Sequence, residues 1–187
     1  MAVNHSEIRD VLFHYLEHYR YPPEANQLIR LVRALDEGHD VTSPAEYRIG
    51  HLTIGAVVID QDRRVLLVRH TNPDRWLTPS GHLRPDDTSL VGASLRELEQ
   101  QTAIPSRHIA SSPDEQSAPF DIDAWRVPAD PLSDVPEHVR FDFRYAHWVD
   151  EADVRPFIAD STRFSWLPAD ELHPCGLRSK LSAVGVG

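Results

Sequence analysis

Gly81-His82-Leu83-Arg84-Pro85-Asp86-Asp87-Thr88-Ser89-Leu90-Val91-Gly92-Ala93-Ser94-Leu95-Arg96-Glu97-Leu98-Glu99-Gln100-Gln101-Thr102-Ala103-Ile104 reads as a loop feeding a helix. Glycine, proline and two acids punctuate its start, and Pro105 stops it soon after its end. Val91, Leu95, Leu98 and Thr102 recur at helical spacing and predict the buried stripe of a helix from about Ser89 to Thr102. A second face gathers Glu97, Gln100 and Gln101 at i, i+3 and i+4, so their side chains converge on one patch. Carboxylates at that spacing clamp a hard cation such as Mg²⁺, which takes oxygen ligands. Here only the first of the three is a carboxylate.

The segment resembles the Nudix box: Gly, five residues, Glu, seven residues, then Arg-Glu-apolar-any-Glu-Glu-any-Gly-apolar. Gly81 matches its opening glycine, Asp87 stands at the first acid, Arg96-Glu97-Leu98 matches the Arg-Glu-apolar core, and Ile104 closes it. Trp76-Leu77-Thr78-Pro79-Ser80-Gly81-His82 is similar to the run that precedes the box in this family. Arg163 to Leu172 resembles its late strand-to-helix segment. The resemblance covers about residues 50 to 182. It implies hydrolysis of a diphosphate linkage in a nucleoside diphosphate derivative or similar small molecule, with Mg²⁺ or Mn²⁺. It also implies a metal site of Gly81, Glu97, Gln100 and Gln101, with Glu97 catalytic, and a structural ion pair between Asp87 and Arg96.

Departures from the pattern bear directly on that chemistry. Eight residues rather than seven separate Asp87 from Arg96, Ser80 and Ala103 replace glycines, and Gln100-Gln101 replaces the Glu-Glu pair. A carboxamide presents one neutral oxygen where a carboxylate presents two charged ones. Each missing charge removes on the order of 8 kcal/mol of attraction to a dication at 4 Å and an effective dielectric near 20, before hydration is credited back. The expected cation is therefore held weakly or not at all. The alternative expectation is a Nudix-fold protein that binds a nucleotide-like ligand without cleaving it, or runs metal-independent biosynthetic chemistry.

Outward from this segment, the pattern predicts helices at 6–20 (N-cap Ser6) and about 23–36 (stripe Leu28, Ile29, Val32, Leu35), separated by Tyr21-Pro22-Pro23. A hairpin of two buried strands is expected at 52–59 and 65–68, further strands at 120–127, 139–149 and 164–167, and a terminal helix from Ala169. The expected fold is α/β: a Nudix-like α/β/α sandwich with a mixed sheet, over residues 46–187, preceded by an N-terminal helical hairpin over 1–45. That hairpin is expected to be a packing appendage or a homodimer surface. Substrate specificity is expected in the loops 106–119 and 128–137.

The strand at 139–149 alternates. Val139, Phe141, Phe143 and Tyr145 point one way, and His138, Arg140, Asp142 and Arg144 point the other. Two arginines interleaved with an acid and a histidine suit a phosphate or carboxylate, and these four are the candidate substrate-binding residues. His70, His82 and His138 show no zinc spacing.

Composition narrows the class. A net charge of −10 disfavours a nucleic-acid partner but not a small phosphorylated ligand met by a local cluster. No apolar run suffices to span a bilayer, so no membrane partner is expected. The single cysteine, Cys175, fits a reducing, cytoplasmic setting.

Overall fold

The computed structural model describes residues 2–19, 25–71, 74–110, 118–130, 134–160, 162–172 and 175–185. The Tyr21-Pro22-Pro23 break and parts of the two specificity loops (111–117 and 131–133) lie outside them.

The central strand, β1 (His51–Ile59), is buried along its whole length, as its β-branched run requires. On one side it pairs in parallel with β6 (His138–Trp148), from His51 opposite Arg140 to Ile59 opposite Trp148. Outside β6 lies antiparallel β5 (Asp121–Val127). On its other side β1 has two partners in succession. The short strand β4 (Ser80–His82) pairs with Thr53–Gly55, and β2 (Arg64–Thr71) registers at Val65 opposite Ile59. β2 is flanked by β3 (Asp74–Leu77) and β7 (Phe164–Pro168), giving a mixed sheet of seven strands.

The expected β1–β2 hairpin is thus opened by β4. The Ala56 N–H turns to the Pro79 carbonyl at 2.9 Å, so the chain before the box, not β2, takes up this edge. β3 and β4 were hidden in a stretch that reads as turn punctuation. Their pairing groups are backbone, which sequence pattern does not register.

Helices cover both faces. On one, α1 (His5–His18), α2 (Ala25–Asp36) and α3 (Leu90–Thr102) cover two adjoining clusters, built on Leu52, Ile54, Phe141 and Phe143 and on Ala56, Val58, Leu66 and Leu98. On the other, α5 (Cys175–Ala183) packs Leu177 and Leu181 on Val57, Ile59 and Val65. The short α4 (Glu151–Val154) follows β6. This is the α/β/α sandwich. The N-terminal hairpin shares its core: Ile8, Leu12, Tyr15, Leu28 and Leu31 are fully buried in the cluster that holds Leu52 and Phe143. Two local expectations are corrected. Asn4, not Ser6, caps α1 by accepting from the Glu7 N–H at 3.1 Å. Ile29 is 47% exposed, because α2 turns Leu31 and Ala34 inward instead.

Candidate active site

The helix α3 starts where Ser89 accepts from the Gly92 N–H at 3.0 Å. Ahead of it, Asp87 ties the loop down. One of its oxygens accepts from the Arg84 N–H at 2.7 Å, and its two oxygens take the Arg96 guanidinium in a fork at 2.8 and 2.7 Å. Burial pushes the Asp87 carboxyl up, but the Arg96 and Arg84 donors outweigh it and hold it below its usual range. Arg96 also reaches the His82 carbonyl at 3.1 Å, so the loop is clamped to the helix from both ends.

Glu97 is buried against the backbone of Gly81, where any side chain would overlap its carboxylate. One oxygen meets Arg96. The other accepts from the Gln101 amide at 3.0 Å, and the same amide nitrogen donates to the Ser80 carbonyl at 2.8 Å. Gln101 Oε1 is buried without a hydrogen-bond partner among the described residues. Gln100 turns away to the surface, where its oxygen accepts from Arg84 at 2.7 Å. So the structure brings Glu97, Gln101 and Gly81 together and leaves Gln100 outside. Arg84, which spacing alone did not single out, puts a second guanidinium beside the patch.

The alternating face of β6 is polar, with His138, Arg140, Asp142 and Arg144 on it, but its members differ in what they hold. Arg144 is nearly buried and spent on three carboxylates: Asp121 at 2.8 Å, Asp142 at 3.0 Å and Asp123 at 3.2 Å. Lys180 on α5 shares Asp121 at 2.5 Å and meets the Tyr15 hydroxyl of α1. Asp142 also accepts from the Thr53 hydroxyl at 2.9 Å. Burial raises the Asp123 carboxyl, more than the nearby Arg144 lowers it. Arg140 lies over Trp125 at 5.3 Å and its Nε has no hydrogen-bond partner among the described residues.

Beside Arg140 the fold assembles histidines that are far apart in sequence. His51 and His82 approach through their Nε2 atoms at 3.1 Å, and His138 stacks on His51 with ring centres 4.9 Å apart. His138 donates Nδ1–H to the Pro136 carbonyl at 2.8 Å. Burial, then His82, His138 and Arg140, push His51 down to about 3, so it is neutral at pH 7. His51 carries no motif. Only the parallel register of β1 and β6 sets it opposite Arg140.

A cavity of about 510 Å³ opens on this face, with Arg140, Asp123 and Trp125 on one wall, Arg75 and Trp76 on another, and Leu67 and Leu177 among its apolar contacts. Ser80 lines it too. Ser80 therefore joins the cavity to the Glu97–Gln101 pair.

A model of the NUDIX domain matches residues 50–183. The chain belongs to the Nudix family. Among solved structures, two of a Caenorhabditis elegans Ap4A hydrolase share the fold. One is 17% identical, covering 71% of this chain and 96% of its own, with a TM-score of 0.50. The other, a binary complex, is 16% identical, covering 73% and 98%, with a TM-score of 0.51. The Escherichia coli dihydroneopterin triphosphate pyrophosphohydrolase is 15% identical over 71% of this chain and 92% of its own, with a TM-score of 0.48. No curated protein matches the chain.

Nudix hydrolases use divalent metals, and the residues present fit one only in part. Glu97, the Ser80 carbonyl and the unpartnered Gln101 Oε1 are oxygen donors at one point, but the amide now presents nitrogen to the other two. A cation requires that amide turned over, with one carboxylate in place of three and two guanidinium groups close by. Elsewhere among the described residues, Asp60, Asp62 and Glu151 come within 4.8 Å of one another. Arg64 already bridges them, at 2.7 Å to Asp60 and Glu151. Among the described residues no helix is long and apolar enough to cross a membrane.

Proposed function

We propose that this chain is a Nudix-type hydrolase of a diphosphate linkage in a nucleoside diphosphate derivative or similar small phosphorylated molecule, with a weakly held cation. The observation that carries this reading is Ser80, which lines the ligand cavity and offers its carbonyl to the Glu97–Gln101 pair. The Ap4A hydrolases among its structural relatives support a nucleotide-like substrate. Glu97, Gln101 and the Ser80 and Gly81 backbone would hold Mg²⁺ or Mn²⁺, with Gln100 outside it. The ion would neutralise phosphate charge when bound. Glu97 takes the proton of the attacking water as its oxygen bonds to phosphorus and the P–O bond to the leaving phosphate breaks. Asp87 and Arg96 fix the loop on which Gly81 lies. Arg140 and the His138–Asp142 face orient the ligand, and the site works in the cytoplasm on a soluble small molecule.

The test restores the pair. Gln100→Glu with Gln101→Glu, assayed with Mg²⁺ on a panel of nucleoside diphosphate derivatives, is expected to raise turnover at least about a hundredfold, the equivalent of 3 kcal/mol of cation affinity. No gain, together with no turnover by the natural chain at saturating Mn²⁺, removes the proposal.

One observation favours a second reading, a ligand-binding Nudix domain without hydrolysis. The Gln101 amide already satisfies Glu97 and Ser80 as a cation would. Calorimetry separates the two, since Mg²⁺ binding at submillimolar affinity excludes the second.

A further inference from the structure

Two arginines sit four residues apart on one face of β6, and their surroundings are opposite. Arg144 has three carboxylates within 3.2 Å. Arg140 has no ion pair among the described residues, and its Nε is buried without a hydrogen-bond partner. A buried guanidinium N–H with no acceptor is destabilising, the more so because it is charged. Burial lowers the Arg140 pKa, and Asp142 only partly restores it. Its neighbours are instead imidazoles. His51 lies directly opposite in the register, and among the described residues its buried Nδ1 and the Nε2 of His70 have no hydrogen-bond partner; His70 also feels the Arg140 charge. His82 and His51 meet through their Nε2 atoms, so one ring donates to the other. Arg75, opposite His70 on β3, lines the same cavity as Arg140. Arg140 and Arg75 thus bring positive charge to a cavity whose carboxylates, Asp123 and Asp142, are tied to Arg144, and an acceptor-rich anion is the group that meets the Arg140 guanidinium. A dication does not, because Arg140 repels it.

We infer that Arg140, with His51 opposite it in the sheet and Arg75 across the same cavity, forms an anion subsite that takes a phosphate or carboxylate group without a metal ion. The Trp125 ring backs the guanidinium, 5.3 Å from its central carbon, and among the described residues no carboxylate pairs with it. The rest of the ligand lies over the apolar lining of Leu67, Leu77 and Leu177. Arg144, the other arginine of the face, serves the fold and not the anion. The subsite deepens the hydrolase reading but does not depend on cleavage.

Calorimetric titration of inorganic phosphate and of pyrophosphate into the full chain in EDTA tests it, alongside Arg140→Met and Arg140→Lys. The natural chain is expected to bind pyrophosphate in EDTA, with the His51 ring ¹⁵N signals shifting on binding. Arg140→Met should weaken binding about tenfold or more, and Arg140→Lys less. Near-ultraviolet circular dichroism verifies that both variants are folded. Binding seen only with Mg²⁺ present overturns the subsite and leaves the hydrolase reading standing. Equal affinity in Arg140→Met overturns it as well. Histidine signals that respond to Co²⁺ but to neither anion would make the cluster a metal site and end the proposal.

Discussion

The Gln101 side-chain nitrogen lies 3.0 Å from Glu97 Oε2 and 2.8 Å from the Ser80 carbonyl, bridging the two acceptors. An amide donor thereby satisfies the buried Glu97 carboxylate in the fold.

Gln101→Glu alone should make stability cation-dependent. Two carboxylates about 3–4 Å apart repel by on the order of 4 kcal/mol at an effective dielectric near 20. The melting temperature in EDTA is expected to fall by several degrees and to recover with Mg²⁺. A melt that ignores Mg²⁺ would show that no cation reaches this patch.

Asp87 and Arg96 form the buried fork that holds the loop to α3. Asp87→Asn leaves the guanidinium partly uncompensated, with an expected loss of about 3 kcal/mol in urea unfolding. Because the folded Asp87 carboxyl is held low, its stabilisation is present above the ordinary carboxylate range and is lost as pH falls through its depressed value. The difference between natural chain and variant should therefore shrink at acid pH.

Ala103 ends α3 at φ 60°, in the left-handed region where a side chain crowds the following carbonyl. The family pattern puts glycine there. Ala103→Gly should stabilise the protein by about 1 kcal/mol, readable as a higher urea midpoint with unchanged slope.

His147 is buried against Ser94, 2.8 Å from its hydroxyl, and burial lowers it to about 4. Its unfolded counterpart titrates near 6.5. Between those values the unfolded chain binds the extra proton, so stability falls as pH drops from 6.5 towards 4. The loss from this one group is on the order of 3 kcal/mol. His147→Gln should flatten that part of the pH–stability curve; a parallel curve would mean that His147 does not titrate alone.

Removing residues 1–40 should unfold the domain rather than trim it. Ile8, Leu12, Tyr15, Leu28 and Leu31 are fully buried, and each contributes roughly 1.5–3 kcal/mol, which together rivals a whole domain's stability. Circular dichroism and sizing of the truncated chain check this. A folded, monomeric product from a dimeric parent would instead make the hairpin a homodimer surface.

The sequence by itself determined the box and the family. Gly81, Asp87, Arg96 and Glu97 are close along the chain, and their resemblance to the family pattern implies the Asp87–Arg96 pair. The alternation of β6 likewise put His138, Arg140, Asp142 and Arg144 on one face, because period two is local. Only the tertiary structure decided what those residues do. Spacing places Gln100 and Gln101 equally, but Ser80 draws Gln101 inward and Arg84 draws Gln100 out. Pattern treats Arg140 and Arg144 alike, but β5 supplies Asp121 and Asp123 to one of them, while β1 brings His51 to the other. β3 and β4 stayed illegible because backbone pairing carries no side-chain signature. Strand register joins residues some ninety positions apart, as in Thr53 and Asp142, and no local property of the chain encodes that meeting.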